Sequence, residues 1–235
     1  MLAIFKREMR GYFTGTIGYV FLVIFLAVAG VAFSYTTLFS MSADVTTYFT
    51  VMLLFSAIIL PILTMKSFSE ERKTRTEQLL LTAPVSLPSM VIGKFLASYA
   101  MFGGALIFTS FYSLLLIPYA PFKVAVLLGN VVALLLVGAV FISVGLFVSS
   151  LTENQLAAAV GTIAILLAFL GVGIIGMLLP TEYWLRYILD ALSIFTRFST
   201  FTNGYFDLAS VIYYISVTGI FLYLTVRIYD RRRYN

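Results

Sequence analysis

The sequence VAVLLGNVVALLLVGAVFISVGLFVSSL occupies residues 124–151 and contains no Asp, Glu, Lys or Arg. An α-helix rises by about 1.5 Å per residue, so about 20 apolar residues cross the hydrocarbon core of a bilayer. This stretch is long enough to do so. It therefore predicts a transmembrane helix.

Five further uncharged stretches of comparable length lie elsewhere in the chain, at residues 17–39, 47–65, 95–117, 156–179 and 208–226. Hydrophobic residues make up 61% of the 235 residues and charged residues 11%, and the mean hydropathy is +1.04. These values lie outside the range of water-soluble domains. We predict an all-α polytopic membrane protein in which residues 1–235 form a single transmembrane domain with six transmembrane helices.

The distribution of Lys and Arg predicts the orientation. Twelve of the 15 fall on one side if the N-terminus is cytoplasmic, and positive residues concentrate in cytoplasmic loops. We therefore expect a multi-pass membrane protein with both termini in the cytoplasm. The same asymmetry accounts for the net charge of +5, and we expect no nucleic-acid partner. The twelve are Lys6, Arg7, Arg10, Lys66, Arg72, Lys73, Arg75, Lys94, Arg227, Arg231, Arg232 and Arg233.

The residue types that are missing exclude most chemistry. The chain has no Cys and no His, which removes disulfides, the usual zinc sites, histidine proton relays and the common nucleophilic triads. The one Gly-Lys pair, at residues 93–94, lacks the remainder of a phosphate-binding loop. We expect no catalytic residue, metal or cofactor on this chain, and any ATP and Mg to be bound by a separate ATPase polypeptide. The uncharged spans disfavour a proton antiporter, whereas sodium coupling through carbonyls and hydroxyls stays open.

The N-terminal segment has the pattern of an amphipathic helix. Leu2, Phe5 and Met9 recur at helical spacing, and Arg7 and Arg10 lie among the charged residues opposite them. We expect residues 1–16 to lie on the cytoplasmic leaflet as an interfacial helix. The alternative is a frayed, charged leader.

The connection at residues 66–90 combines charge with a short apolar run. We expect Ser69 to cap a short helix, with Glu70 and Glu71 near its positive end and Pro84 helping to stop it. The apolar face of this helix would carry leucines such as Leu79 and Leu80. The alternative is a solvated connector whose charges only set topology.

The connection at residues 180–207 is rich in aromatic side chains, which favour the headgroup level of a membrane. We expect it to lie outside as one or two short helices that dip partly into the protein, with Asn203-Gly204 marking a turn. Asp207 precedes the last span and is placed to cap it.

Several stretches resemble a known family, the permease subunits of type-2 ABC exporters, and most closely the gliding-motility and nitrous-oxide-reductase-maturation permeases. The stretches read PILTMKSFSEER at residues 61–72, TEQLLLTAPVS at residues 76–86 and GLFVSSLTENQ at residues 145–155, and Gly93-Lys94 also agrees. One departure is Arg75, because the family usually has Gly at this place.

This resemblance implies the type-2 ABC exporter fold, with an N-terminal interfacial helix, a cytoplasmic coupling helix and external re-entrant helices. It implies a permease that couples ATP hydrolysis by a separate subunit to export or transmembrane force. The partners would be two copies of a cytoplasmic ABC ATPase, a second permease, identical or related, and membrane lipids. The alternatives are a mechanotransmitting scaffold that moves no cargo and acts on an external partner, and a secondary carrier.

The resemblance also assigns site residues. Residues 69–84 would form the coupling helix, residues 152–155 a second contact with the ATPase, and the aromatic loop an external gate. The implied coupling residues are Ser69, Glu70, Glu71, Arg72, Arg75, Glu77, Leu79, Leu80, Glu153 and Asn154. The implied gate residues are Tyr183, Trp184, Tyr187, Phe195 and Phe201.

Overall fold

The computed structural model describes residues 1–40, 44–76, 86–116, 124–178, 189, 191, 193–202 and 206–234. Within these ranges all regular secondary structure is helical, which confirms the all-α prediction. Several predicted positions lie outside the described residues: Glu77, Leu79, Leu80, Pro84, Tyr183, Trp184, Tyr187, Asn203 and Gly204.

Nine α-helices follow one another along the described parts of the chain. The helix Thr16–Phe33 is extended by the π-helical turn Ser34–Leu38, and the helix Leu87–Ser110 is followed by the 3₁₀ turn Phe111–Leu116. The helices are α1 Leu2–Thr14, α2 Thr16–Phe33, α3 Thr46–Thr64, α4 Lys66–Lys73, α5 Leu87–Ser110, α6 Val124–Leu151, α7 Gln155–Leu178, α8 Ile194–Thr202 and α9 Leu208–Tyr234.

Six helical stretches of the described chain are long and apolar enough to cross a membrane. Each overlaps one of the six predicted spans, and the bounds differ most at three ends. The second continues beyond residue 65 to Lys73, the third begins at Leu87 instead of residue 95, and the sixth continues beyond residue 226 to Arg233. The stretches are Thr16–Leu38, Thr46–Lys73, Leu87–Ser113, Val124–Leu151, Gln155–Gly176 and Leu208–Arg233.

Helix α6 forms the centre of the bundle and packs against α3, α4, α5, α7, α8 and α9. Two glycines allow its closest approaches. A Cβ at Gly138 would lie 2.0 Å from the ring of Phe102 on α5, and a Cβ at Gly145 would lie 2.2 Å from Oγ1 of Thr64 on α3. Small residues at such crossings let membrane helices approach each other closely.

The outer helices leave apolar side chains exposed. Only 22% of the residues in the apolar part of α9 are buried, whereas 67% of those in α6 are. Tyr19 and Val23 on α2 and Ile212 and Ile215 on α9 are examples of exposed apolar residues. A helix that is apolar all round and buried on one side only is typical of a span in contact with lipid.

Helix α4 differs from the predicted coupling helix. It begins at Lys66, directly after α3, and Met65 occupies the N-cap position. The prediction that Ser69 caps it is wrong, because Ser69 lies inside the helix and its hydroxyl donates to the Met65 carbonyl. Since α3 leads directly into α4, the first turn needs no separate polar cap. Glu70 and Glu71 therefore lie in the second half of α4 and away from its positive end.

Two local predictions agree with the structure. The N-terminal segment is helical as α1, with Ile4 buried, and it packs against α5 and α2, so the frayed leader is not found. Asp207 caps α9, because its carboxylate accepts hydrogen bonds from the backbone N–H groups of Ala209 at 3.1 Å and Ser210 at 3.0 Å.

Candidate functional site

Five parts of the chain meet at one end of the bundle, which we call the basic end. They are joined by ion pairs and hydrogen bonds. The five parts are α1, α4, the first turns of α5, the α6–α7 connection at residues 152–154 and the last turns of α9. Most of the Lys and Arg residues predicted to share one side of the membrane belong to these elements. The structure therefore gathers the predicted cationic side into one surface.

A buried lysine lies at the centre of the basic end. Lys94 is in the second turn of α5 and only 1% of its side chain is exposed. Its Nζ lies 2.8 Å from Oε1 of Glu71 on α4, 3.2 Å from Oε1 of Glu8 on α1 and 2.6 Å from the carbonyl oxygen of Ser67. All three N–H donors of the ammonium thus have acceptors. A buried ammonium requires such pairing because burial removes its hydration.

Arg7 completes this cluster from the solvent side. Its Nη2 lies 2.7 Å from Oε1 of Glu8 and 2.8 Å from Oε1 of Glu71, and its side chain is half exposed. Two cations and two carboxylates therefore balance one another. We call Lys94, Glu71, Glu8 and Arg7 the Lys94 cluster; it joins α1, α4 and α5 by charged contacts.

A second set of contacts ties the start of α4 to α6. The hydroxyl of Ser149 accepts hydrogen bonds from the backbone N–H groups of Phe68 and Ser69, both at 3.1 Å, and donates to the carbonyl oxygen of Met65 at 3.0 Å. In a regular helix these N–H groups would bond to carbonyls four residues earlier. The side chain of a neighbouring span is thus inserted at the passage from α3 to α4.

Arg72 links α4 to the connection between α6 and α7. Its Nε lies 2.9 Å from Oε1 of Glu153, and its Nη1 donates to the carbonyl oxygen of Leu151 at 2.8 Å. Beside this pair, Oδ1 of Asn154 accepts a hydrogen bond from the N–H of Leu156 at 3.0 Å and so caps α7. The two segments that were predicted to contact the ATPase are therefore in direct contact with each other.

The last turns of α9 reach the same place. Arg232 donates to the carbonyl oxygen of Ser150 at 2.8 Å. The ring of Tyr229 lies 4.9 Å from that of Phe68 on α4, centroid to centroid. Both ends of the described chain thus pack around α4.

The predicted coupling residues divide into three groups. Glu71, Arg72 and Glu153 form the contacts described above, and Ser69 and Asn154 take part through hydrogen bonds. Glu70 is exposed and lies 3.8 Å from Nζ of Lys66. Arg75 follows the helix with a φ of 57°, a left-handed conformation that glycine adopts more readily than other residues. Glu77, Leu79 and Leu80 lie outside the described residues.

The opposite end of the bundle carries α8. Phe201 of α8 is buried and Phe195 is half buried, and α8 packs against α6 and α7. The hydroxyl of Tyr214 on α9 donates to the carbonyl oxygen of Ile194 at 2.9 Å. The structure thus places two of the five predicted gate residues in a short helix that is packed into the bundle, and the other three, Tyr183, Trp184 and Tyr187, lie outside the described residues.

Sequence reasoning missed the residues that hold the basic end together. Lys94 was counted only among the cations of the cytoplasmic side, and Glu8, Arg7 and Ser149 received no role as contacts. One signal was present, since Gly93-Lys94 and the stretch containing Ser149 were both among the motifs that resemble the exporter family. The Cβ that Gly93 lacks would lie 3.1 Å from Cβ of Ile4, so the glycine allows α1 to approach α5.

Comparison with known protein families gives a match over nearly the whole chain. Residues 2–232 match the family described as ABC-2 family transporter protein. A search of curated proteins finds no match.

Proposed function

This chain belongs to the ABC-2 transporter family, and we propose that it couples ATP hydrolysis by a separate ATPase subunit to export or to force across the membrane. As a member of that family it is a multi-pass membrane permease subunit of an ABC transporter. Beyond this membership, we propose the coupling to ATP hydrolysis, the direction of transport and the residues that contact the ATPase.

The observation that carries the proposal is the set of contacts around α4. This short helix is joined to α1 and α5 by the Lys94 cluster, to α6 by Ser149, and to the α6–α7 connection by Arg72. A push on α4 would therefore displace the ends of several spans together. Short charged contacts between packed helices resist sliding better than apolar contacts do, which suits transmission of movement.

The residues proposed to receive that push lie on or beside α4. Glu70, Lys73 and Thr74 are exposed there, and Glu153 is exposed beside Arg72. We propose that the ATPase contacts this surface and the segment at residues 77–80, including Glu77, Leu79 and Leu80.

The proposed assembly has two ATPase subunits and two permeases, with the second permease identical to this chain or related to it. The basic end would face the cytoplasm of a bacterial cell, and both termini would be on that side. The concentration of Lys and Arg at this end supports this orientation. ATP and Mg would be held by the ATPase. Within the family, we propose that the chain is closest to the gliding-motility and nitrous-oxide-reductase-maturation permeases.

The opposite end would then be the outer end, with α8 and the aromatic segment before it acting as a gate. Tyr183, Trp184, Tyr187, Phe195 and Phe201 are its proposed residues. Phe201 is buried, and a Cβ at Gly129 would lie 3.3 Å from the Phe201 carbonyl oxygen, so this end of the bundle is tightly packed around α8. That packing also suits a transmitter that moves no cargo, which is the second candidate function.

The absence of Cys from the sequence allows a direct test of the coupling surface. The full chain is expressed with its ATPase, with a single cysteine introduced by Glu70→Cys at the basic end or, as a matched control, by Phe206→Cys at the opposite end. Both residues are exposed. A short bis-maleimide should cross-link the Glu70→Cys chain to an ATPase whose surface cysteine lies at the interface, and ATP hydrolysis should fall on cross-linking.

Labelling of intact cells separates orientation from coupling. A membrane-impermeant maleimide should label Phe206→Cys and leave Glu70→Cys unlabelled until the cells are opened. Labelling of Glu70→Cys from outside, or a cross-link of the ATPase to Phe206→Cys alone, would contradict the proposal.

A further inference from the structure

A cavity of about 500 Å³ lies at the basic end between α1, α4 and the start of α5. Its lining is charged on the α4 side and apolar towards the spans, where Ile17 of α2 and Leu63 of α3 contribute. Tyr12 and Gly11 line it from α1. The cavity is therefore amphipathic, and it lies where the interfacial segment meets the first two spans.

The charged side of the cavity offers acceptors and few free donors. Glu8, Glu70 and Glu71 line it together with Lys66 and Lys94. The three donors of Lys94 are already used, and every contact of Glu8 and Glu71 with Lys94 and Arg7 falls on Oε1. The Oε2 atoms of both carboxylates thus remain as acceptors towards a ligand.

A buried hydroxyl in the same lining has no partner. Ser67 is 7% exposed, and its Oγ makes no hydrogen bond of ordinary geometry within the described part of the chain. The nearby hydroxyl of Tyr12 is instead hydrogen-bonded to Oγ of Ser98 at 2.8 Å. Buried polar groups are nearly always hydrogen-bonded, so an unpaired one in a cavity wall indicates a missing partner. Since Ser67 belongs to α4, its hydroxyl and the carboxylates of Glu70 and Glu71 are within one helical turn of each other.

We propose that this cavity binds the headgroup of an aminophospholipid such as phosphatidylethanolamine. The primary ammonium of the lipid donates to the carboxylates and to Oγ of Ser67, and the lipid phosphate lies beside Nζ of Lys66. This Nζ lies 3.8 Å from Oε2 of Glu70, so Lys66 makes no short hydrogen bond to that carboxylate. The apolar side formed by Ile17 and Leu63 meets the start of the acyl chains. A choline headgroup has no N–H and would leave the same acceptors unpaired.

The test uses the purified full-length chain in nanodiscs of phosphatidylcholine, with and without phosphatidylethanolamine, and measures the unfolding temperature and the lipids retained in native mass spectrometry. Phosphatidylethanolamine should raise the unfolding temperature and be retained preferentially. Glu70→Gln should lower its affinity about tenfold, because a charge-assisted hydrogen bond becomes a neutral one, and Ser67→Ala should weaken binding in the same direction. Asp230→Asn removes a partly exposed carboxylate that pairs with Arg227 at 3.6 Å, at the same end of the bundle but not in the lining of the cavity, and should change neither quantity.

Three results would overturn the proposal. An equal effect of phosphatidylglycerol would indicate an anion site. An equal effect of free ethanolamine at the same concentration would identify a soluble amine as the ligand in place of a lipid. Unchanged binding in Glu70→Gln and Ser67→Ala, with both variants folded in phosphatidylcholine, would place the lipid elsewhere.

Discussion

Oγ of Ser149 lies 3.1 Å from the backbone nitrogen of Ser69, where α3 passes into α4. The same oxygen accepts from Phe68 and donates to Met65. Insertion of a side chain into the hydrogen-bond ladder is one of the recognised causes of a bend in a helix. Because the inserted group belongs to α6, a change in the angle between α3 and α4 would also shift or break the hydrogen bonds to Ser149 of the central span.

We expect Ser149→Ala to destabilise the protein by about 1–3 kcal/mol, because it removes the side-chain acceptor of two buried N–H groups and one of the two hydroxyls that donate to the Met65 carbonyl. The measurement is the free energy of unfolding, or the unfolding temperature, in a fixed detergent. Ser143→Ala is the matched control, since Ser143 is buried on the same helix and donates only to the carbonyl of Val140. If the two variants lose the same stability, the backbone closes its own ladder and the insertion has no structural role.

Lys94→Met should be strongly destabilising, by about 3–5 kcal/mol, because it leaves the carboxylates of Glu8 and Glu71 without their buried cation. Glu71→Gln in the same chain should restore part of the loss, so a double-mutant cycle should give a coupling energy well above zero. The measurement is unfolding in detergent for all four proteins of the cycle.

Lys66→Met is the control for the loss of a positive charge alone. Lys66 is partly exposed and its pair with Glu70 is long, at 3.8 Å, so the cost should stay below about 1 kcal/mol. Additive effects of Lys94→Met and Glu71→Gln would contradict the pairing.

The sequence alone predicted the parts of this structure that depend on local pattern. The six spans follow from uninterrupted apolar length, and the cap at Asp207 follows from a carboxylate placed before a helix. Ser69 was mistaken for a cap because the same residue type is compatible with a helix interior when the preceding span continues directly into the helix. What decides is that the chain before α4 is already helical, because α3 continues to Thr64 and Met65 keeps helical backbone angles.

The contacts of Lys94 and Ser149 could not be predicted in this way, because their partners lie 86 and 80 residues away, at Glu8 and Ser69. Nothing in the local pattern distinguishes a buried paired lysine from a solvated one beside an apolar run. Arg75 was partly predictable, since the resemblance to the exporter family expects glycine at this position. Its φ of 57° is left-handed, a conformation that costs free energy for arginine and not for glycine.

Gly145→Ala should destabilise the bundle by about 1–3 kcal/mol, because the added Cβ would lie 2.2 Å from Oγ1 and 3.0 Å from Cβ of Thr64. Gly171→Ala is the control, because nothing lies within 4 Å of a Cβ at that position, and alanine favours a helix interior by up to about 1 kcal/mol. Unfolding of both variants in the same detergent gives the comparison. A neutral Gly145→Ala would mean that α3 and α6 separate without cost.

Asp207 should make stability depend on pH in the acid range. The hydroxyl of Ser210 and the N–H groups of Ala209 and Ser210 donate to its carboxylate, and Arg197 adds positive charge, so the pKa of Asp207 is lowered from its ordinary value of 3.8. The folded state then binds fewer protons than the unfolded state in this range, so this contribution is present above the ordinary pKa and is lost as the pH falls through the lowered one. Unfolding temperatures measured from about pH 6 down to about pH 3 should therefore fall more steeply for the natural chain than for Asp207→Asn, because asparagine caps a helix without titrating.

Ser210→Ala should give an intermediate slope, since it removes the largest cause of the shift and leaves the carboxylate in place. Equal acid slopes for the natural chain and Asp207→Asn would show that the cap does not depend on the charge of Asp207, and the lowered pKa would then have to be rejected.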